Sequence, residues 1–280
     1  MKRILFILAF LALIGAGWYA RLIHFYQHWF DTHLLGTVWT PAKEKQLAEI
    51  VRQPFRYCGE GSTSKAYVSE DGRFVIKLFL NNSFKSHYWQ NFPFLRDLAN
   101  KRKELRCKYN RSFGAINAYQ YIPEESGMVF YQFIRPRNLF SHPILLRESD
   151  GTLSEFDLNE SEYIIQKKAV IVSEYFSAHL SNGNLEKVYS GITKILELVK
   201  TLYDQGIVLV VLQFLDNFGF VGDEPIRIDV EHVCYDPKWK EKGKEHLQKQ
   251  LPAFRKWIVN NAPEEVVSHF DGEVQRIFGL

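Results

Sequence analysis

The sequence predicts an α+β protein of two lobes, preceded by a single apolar N-terminal helix. Short runs of β-type residues dominate positions 55–137, helical patterns dominate 138–280, and residues 4–20 form an apolar stretch without charge. Strands gathered in one part of a chain and helices in another are typical of the α+β class. We therefore divide the chain into an N-terminal helix (1–21), a juxtamembrane segment with a short helix (22–54), a β-rich lobe (55–137) and a helical lobe (138–280).

Composition limits the class of protein. The 280 residues, 46% of them hydrophobic, supply enough apolar material for a sizeable core. The 35 basic and 32 acidic residues nearly balance, so we expect no nucleic acid as a partner. Three scattered cysteines, Cys58, Cys107 and Cys234, have no CxxC spacing, so neither a disulfide framework nor a zinc site is expected.

The N-terminal stretch predicts a single-pass membrane anchor. Residues 4–20 carry no charge and are close to the minimum length that spans a bilayer as a helix. A cleaved signal peptide is the alternative, but bulky Trp18 would then begin the mature chain, so we favour the anchor. Lys2 and Arg3 outweigh Arg21 across the stretch, which places the folded part on the non-cytoplasmic side.

The elements of the first lobe follow from local patterns. Pro41 is suited to the first turn of a short helix through Leu47 and Ile50. An Asp-Gly turn then predicts a hairpin. The predicted hairpin strands are Ala66–Ser69 and Phe74–Leu80, followed by a helix over Leu95–Lys108 and two strands over Ala115–Ile122 and Met128–Ile134.

The second lobe is predicted to be mainly helical. A polar segment, Ser149–Glu162, precedes a helix whose apolar residues recur at helical spacing from Leu185 to Leu202, and Gly206 is placed to end it. The remaining predictions are strands over Val208–Leu212 and Ile226–Val230, and helices from residue 238 onward that are interrupted at Pro252 and Pro263.

Two glycines and a lysine suggest a phosphate site. Gly59 and Gly61 lie in the run CGEGSTSKAY, and Lys77 ends the run FVIK after the Asp-Gly turn. Glycines let backbone amides approach phosphate oxygens closely. This order and spacing resemble the glycine-rich loop and lysine strand of protein kinases, which implies that Lys77 binds the phosphates of ATP. The third glycine of the family pattern is Ser64 here.

A downstream pair carries the second half of the resemblance. In protein kinases an asparagine of the catalytic loop and an aspartate at a strand end hold Mg²⁺. Asn217 and Asp229 match these positions, although Glu231 stands where the family has the glycine after that aspartate. The resemblance implies a glutamate partner for the lysine, for which Glu104 is the candidate. An exposed helical acid is an equally good interpretation of Glu104.

The general base of the family is missing. Its position, five residues before the metal-binding asparagine, is Leu212, and residues 208–211 are also apolar. Asp216 and Asp204 are poor substitutes, because one neighbours Asn217 and the other lies back in the preceding helix. We assign no catalytic residue.

The function expected from the resemblance is that of a membrane-anchored pseudokinase with a two-lobed protein-kinase-like fold. It would bind a protein partner, with ATP and Mg²⁺ as ligands of its cleft. One alternative is an atypical ATP-dependent phosphotransferase acting on a protein or a sugar, since loss of a positioned base slows transfer without forbidding it. The other is a structural membrane protein without nucleotide binding. Whether the chain is an enzyme stays open at this point.

Overall fold

A computed structural model describes the larger part of the chain. Its described residues are Arg21, 41–61, 63–79, 112–133, 140 and 142–280. The chain divides into two compact units, Met1–Lys45 with Asn81–Tyr109, and Gln46–Leu80 with Asn110–Leu280, and the second unit holds nearly all described residues. The predicted anchor, the helix Leu95–Lys108 and Glu104 lie outside the described residues. Within the described part, no helix is both long and apolar enough to cross a bilayer.

A seven-stranded mixed sheet forms the first layer. Its strands are β1 (Phe55–Glu60), β2 (Ser64–Ser69), β3 (Phe74–Phe79), β4 (Met128–Gln132), β5 (Ile144–Arg147), β6 (Leu153–Phe156) and β7 (Tyr163–Lys167). They pair in the order β4-β7-β3-β2-β1-β5-β6. The β1–β5 pair is parallel and the other pairs are antiparallel. Helix α1 (Pro41–Val51) packs Leu47 and Ile50 into the same core as the sheet.

The β2–β3 hairpin is confirmed. Gly72 takes a positive φ of 72°, and its N–H donates to Ser69 O at 2.9 Å. The Asp71 carboxylate accepts from the Ser69 hydroxyl at 2.7 Å and from Arg73 N–H at 3.0 Å. Tyr67 and Ile76 lie opposite each other and are buried. The turn and the burial of these two side chains together fix the register of the hairpin, because a one-residue slip would expose both side chains.

The sheet is larger than predicted. Strand β6 lies inside the segment Ser149–Glu162, which we predicted to be merely polar, and the central strand β7 was not predicted. The sheet therefore extends to Lys167, past residue 137, where the sequence pattern divides the lobes. Strand β7 pairs with β3 on one side and β4 on the other, and this pairing is invisible in the local sequence.

Residues 112–121 form a helix, α2, so the predicted strand Ala115–Ile122 is wrong. The Ile122 N–H donates to Ala118 O at 3.0 Å, one helical turn back. The β-branched and aromatic residues of this segment suggested a strand. Residues 112–118 are almost all buried, so their sequence shows neither the period of a half-buried helix nor that of a half-buried strand. Packing against the rest of the chain therefore decides the conformation. A short helix, α3 (Pro123–Ser126), leads into β4, which confirms the strand predicted from Met128.

The second lobe combines helices with two small sheets. Its elements are β8 (Val170–Ile171), α4 (Val172–Ser181), α5 (Leu185–Asp204), β9 (Ile207–Leu209), β10 (Phe218–Val221), β11 (Glu224–Arg227), β12 (Val233–Tyr235), α6 (Trp239–Asn261) and α7 (Glu264–Phe278). Strands β11, β10 and β8 form one small sheet, and β12 and β9 form the other. The described part of the chain is thus a mixed α+β fold, with the large sheet in the first lobe and most of the long helices in the second.

Helix α5 is the central helix of this lobe. The apolar residues from Val188 to Leu202 that predicted it are buried, and Leu185 is half-buried. The Asn184 side chain caps the start of the helix by accepting from Lys187 N–H at 3.3 Å. Gly206 follows its end with a φ of 82°. Pro252 does not end a helix, contrary to prediction, but lies inside α6, where burial of Phe254 and Ile258 continues the helix past it. Pro263 separates α6 from α7 as predicted.

Candidate functional site

Lys77 joins the two motifs that were identified separately in the sequence. It lies on β3, between Ala66 of β2 and Ile164 of β7. Its Nζ donates to the carbonyl oxygen of Ile228 at 2.6 Å. Burial lowers the pKa of the Lys77 ammonium, and the carboxylates of Asp229 and Glu231 oppose that shift. The lysine therefore stands beside the predicted metal-binding aspartate.

Asn217 and Asp229 are held next to each other by backbone bonds. The carbonyl of Asn217, in the turn before β10, accepts from Ile228 N–H at 2.9 Å and from Asp229 N–H at 3.3 Å. The Asn217 side chain is buried, and its Nδ2 donates to Val211 O at 3.3 Å. The amide oxygen remains as the acceptor of this side chain. These bonds bring the segments of Lys77, Asn217 and Asp229 together, and the binding roles of the three residues stay predictions.

The donor set suits a magnesium ion that is completed by phosphate. No cluster of three His, Cys, Asp or Glu side chains able to hold a metal occurs in the described part of the chain. Mg²⁺ in phosphate-binding sites uses only one or two carboxylates and takes its other oxygens from phosphates and water. The Asp229 carboxylate and the Asn217 amide oxygen are ligand types that suit this role.

The glycine-rich loop connects β1 and β2. A β-bulge between Tyr57 and Gly59 shifts the register there, and a Cβ placed on Gly59 would meet no atom within 4 Å. The Gly61 N–H donates to Ser64 O at 2.8 Å, which closes the tip of the loop. Open space beside Gly59 is compatible with the approach of a ligand to the backbone.

Glu231 is a site residue that sequence reasoning missed, because it treated this position only as a departure from the family pattern. The Thr63 hydroxyl of the glycine-rich loop donates to its carboxylate, and its backbone N–H donates to Asp229 Oδ1 at 3.3 Å. A carboxylate two residues after Asp229 was the available signal. Its contact with Thr63, 168 positions away, could not be anticipated.

Arg227 is a second missed residue and is fully buried. Its Nε donates to Asp229 O at 2.6 Å and its Nη2 to Val211 O at 2.8 Å, while the guanidinium lies 5.0 Å from the centroid of the Phe218 ring. Burial lowers its pKa to about 10, although Asp229 and Tyr203 oppose the shift. Arg227 therefore ties the loop after β9 to the segment that carries Asp229.

The structure offers no general base at the expected position. Leu212 is 2% exposed and belongs to the core. Asp204 ends α5 and pairs with Lys200 of the same helix, and Asp216 is exposed in the turn before Asn217. The absence of a catalytic base from this chain stays a prediction.

Helix α2 packs directly against the Asp229 segment. A Cβ on Gly114 would lie 2.2 Å from Val230 O and 2.5 Å from Glu231 O. The buried Asn117 side chain donates to Val233 O at 3.0 Å. Residues 112–121 include no carboxylate that could pair with Lys77. The pairing of Lys77 with Glu104 stays a prediction.

Comparison with known proteins gives a partial structural likeness. No family model matches the sequence, and no curated protein matches it. A medium-resolution structure of the bifunctional kinase-methyltransferase WbdD is 13% identical, with a TM-score of 0.38, over 76% of this chain and 43% of that one. A 2.2 Å crystal structure of WbdD is 13% identical, with a TM-score of 0.39, over 80% and 46%. The chain thus spans less than half the length of the WbdD chains that it matches.

Proposed function

We propose that this chain is a kinase-like protein whose cleft binds Mg²⁺-ATP and which lacks an efficient phosphoryl-transfer centre. The observation that carries the proposal is the 2.6 Å bond from Lys77 Nζ to Ile228 O, which brings the lysine of one motif to the aspartate of the other. The two motifs are 151 residues apart in the sequence, and this bond joins them directly.

The groups that converge supply the chemistry of triphosphate binding. The ammonium of Lys77 would pair with phosphate oxygens, and the loop around Gly59 and Gly61 would bring backbone amides to the same phosphates. Asn217 and Asp229 would hold the metal ion that neutralises the remaining charge. This division of roles is that of the protein-kinase family, which the sequence resembles.

Leu212 supports the proposal that the chain lacks an efficient phosphoryl-transfer centre. A positioned general base contributes about two to four powers of ten to the rate, and an alkyl side chain in the core cannot take a proton. A cleft that keeps its ligand groups but loses its base is suited to binding, so the proposed role is that of a pseudokinase that contacts a protein partner.

The proposed location of this domain is the non-cytoplasmic face of a membrane, with residues 1–21 as the anchor. The support is the charge-free stretch 4–20 and its basic N-terminal flank. A reporter enzyme fused after Leu280 tests the orientation. Activity of the reporter in the cytoplasm would contradict it.

Ligand-induced stabilisation tests nucleotide binding. The full chain, purified in a mild detergent, is melted with and without ATP and Mg²⁺. A ligand that binds only the native state at 100 times its Kd adds about 2.7 kcal/mol to the free energy of unfolding. We expect this gain in the wild type and its loss in Lys77→Met and Asp229→Asn.

Lys65→Met is the matched control, because Lys65 is a lysine on the neighbouring strand β2 whose partner is Glu148. It should keep the full gain with ATP. A wild-type melting temperature that does not move at saturating ATP and Mg²⁺ would favour the structural alternative, in which nucleotide binding is absent.

The phosphotransferase alternative is favoured by one observation, the exposure of Asp216 in the turn next to Asn217. An exposed carboxylate there is accessible to a substrate hydroxyl. Incubation with labelled ATP, Mg²⁺ and candidate protein or sugar acceptors tests it. Transfer that disappears in both Lys77→Met and Asp216→Asn would replace the pseudokinase proposal with an enzyme.

A further inference from the structure

One hydrogen bond crosses the cleft between the glycine-rich loop and the Asp229 segment. The Thr63 hydroxyl donates to the Glu231 carboxylate, and both side chains are half-buried. Hydrogen bonds to charged acceptors are stronger than neutral ones and gain further strength away from water. This contact therefore holds the loop against the opposite wall.

The loop is also closed on itself. The Gly61 N–H, one of the backbone donors expected to meet phosphate, is bonded to Ser64 O at 2.8 Å. Two donors of the loop, the Thr63 hydroxyl and the Gly61 amide, are thus satisfied by the chain's own oxygens. A phosphate group would compete with those oxygens for the same donors.

Glu231, to which the loop is bonded, is held in position by several contacts. Its backbone lies against Gly114 of α2, so closely that no side chain fits between them, and its N–H is bonded to Asp229 Oδ1 at 3.3 Å. The positive charge of Lys77 attracts its carboxylate across the cleft. The helix and the lysine together keep the carboxylate where Thr63 can reach it.

We propose that Thr63 and Glu231 form a latch that holds the glycine-rich loop against an internal carboxylate, and that a phosphate-bearing ligand must displace this contact to reach the loop donors. The latch deepens the proposed function, because opening it frees loop donors for a phosphate-bearing ligand such as a nucleoside triphosphate. Glu231 acts in it as a positioning residue for the loop.

Hydrogen exchange without nucleotide tests the latch directly. The measured peptide covers residues 57–66 of the full chain. In Thr63→Val, which keeps the shape of the side chain but removes the hydroxyl, we expect the loop amides to exchange about tenfold faster. Thr63→Ser retains the hydroxyl and should restore exchange to the wild-type rate.

Two further variants separate the latch from general loosening. Glu231→Gln keeps an acceptor but loses its charge, so an intermediate acceleration is expected. Glu60→Gln changes an exposed carboxylate at the end of β1 and should leave the loop at the wild-type rate. Equal exchange in wild type and Thr63→Val, or acceleration in Thr63→Ser as large as in Thr63→Val, would overturn the proposal.

Affinity for ATP with Mg²⁺ supplies a second readout. We expect Thr63→Val to bind about threefold to tenfold more tightly than wild type, since the ligand no longer has to break the latch. Weaker binding in Thr63→Val would overturn the latch, because Thr63 would then serve the ligand. If even the wild type binds no ATP, the proposed function fails, while the exchange experiment still decides the latch by itself.

Discussion

Replacement of Gly114 by alanine tests how tightly α2 is packed against the candidate site. A Cβ at this position would lie 2.2 Å from Val230 O and 2.5 Å from the carbonyl carbon of Glu231. The first distance falls 0.8 Å short of the 3.0 Å below which such contacts essentially never occur. The atoms in the way belong to the backbone, so they cannot turn aside as the end of a flexible side chain could.

The magnitude follows from two opposing effects. Glycine to alanine in a helix normally stabilises a protein by about 0.5–1 kcal/mol, because alanine loses less backbone entropy on folding. Insertion of a methyl group into a filled site costs about 1–3 kcal/mol, and an immobile backbone places Gly114→Ala at the upper end. We therefore expect a net loss of about 2–2.5 kcal/mol, which lowers the melting temperature by about 4–10 °C.

Gly272→Ala is the matched control, because Gly272 lies on the exposed face of α7 and a Cβ there would meet nothing within 4 Å. It should raise the melting temperature by about 1–4 °C, from a gain of about 0.5–1 kcal/mol. Thermal unfolding of the two variants beside wild type is the assay. Shifts of the same sign and size would refute the close packing of α2 on the Asp229 segment.

Two further predictions concern stability. Arg227→Met removes the guanidinium donor of Asp229 O and leaves Val211 O with only the longer bond from Asn217 Nδ2, so it should cost about 2–4 kcal/mol in urea denaturation. The exposed Arg276→Met should cost under about 1 kcal/mol. Equal losses would contradict the role given to Arg227. Partial burial raises the pKa of Asp71, but hydrogen bonds from Ser69, Arg73 and Gln53 outweigh it, so the folded-state pKa lies below its usual range. The stabilisation from this carboxylate is therefore present above about pH 4 and is lost as the pH falls. Between pH 7 and pH 3, the melting temperature of Asp71→Asn should fall less than that of the wild type. An equal fall in both proteins would show that the Asp71 carboxylate does not contribute to the acid sensitivity.

Elements that carry a turn signal or a single apolar face could be predicted from the sequence. The β2–β3 hairpin follows from Asp71 and Gly72, and α5 follows from its apolar stripe and from Gly206 at its end. Strand β7 and helix α2 were missed for a different reason. Both are buried on most sides, so their sequences lack the polar face that reveals a period.

The residues of the candidate site also fall into two groups, those that a sequence motif identifies and those that only the structure identifies. Lys77, Asn217 and Asp229 could be proposed from the sequence because each occupies a fixed place in a recognisable motif. Thr63 and Arg227 could not, since their importance lies in partners distant in sequence or in a burial that their residue types do not suggest. Arginine is almost never fully buried without compensation, so sequence alone would place Arg227 on the surface.

The pairing of β12 with β9 restricts how the cleft can open. Only nine residues, 230–238, separate Asp229 from α6, and three of them are committed to β12. The Asp236 N–H is bonded to Gly206 O at 2.8 Å, which secures the end of this short connection. The segment carrying Asp229 thus has too little spare chain to swing outward, so any change in its separation from the β1–β2 loop requires the loop to move.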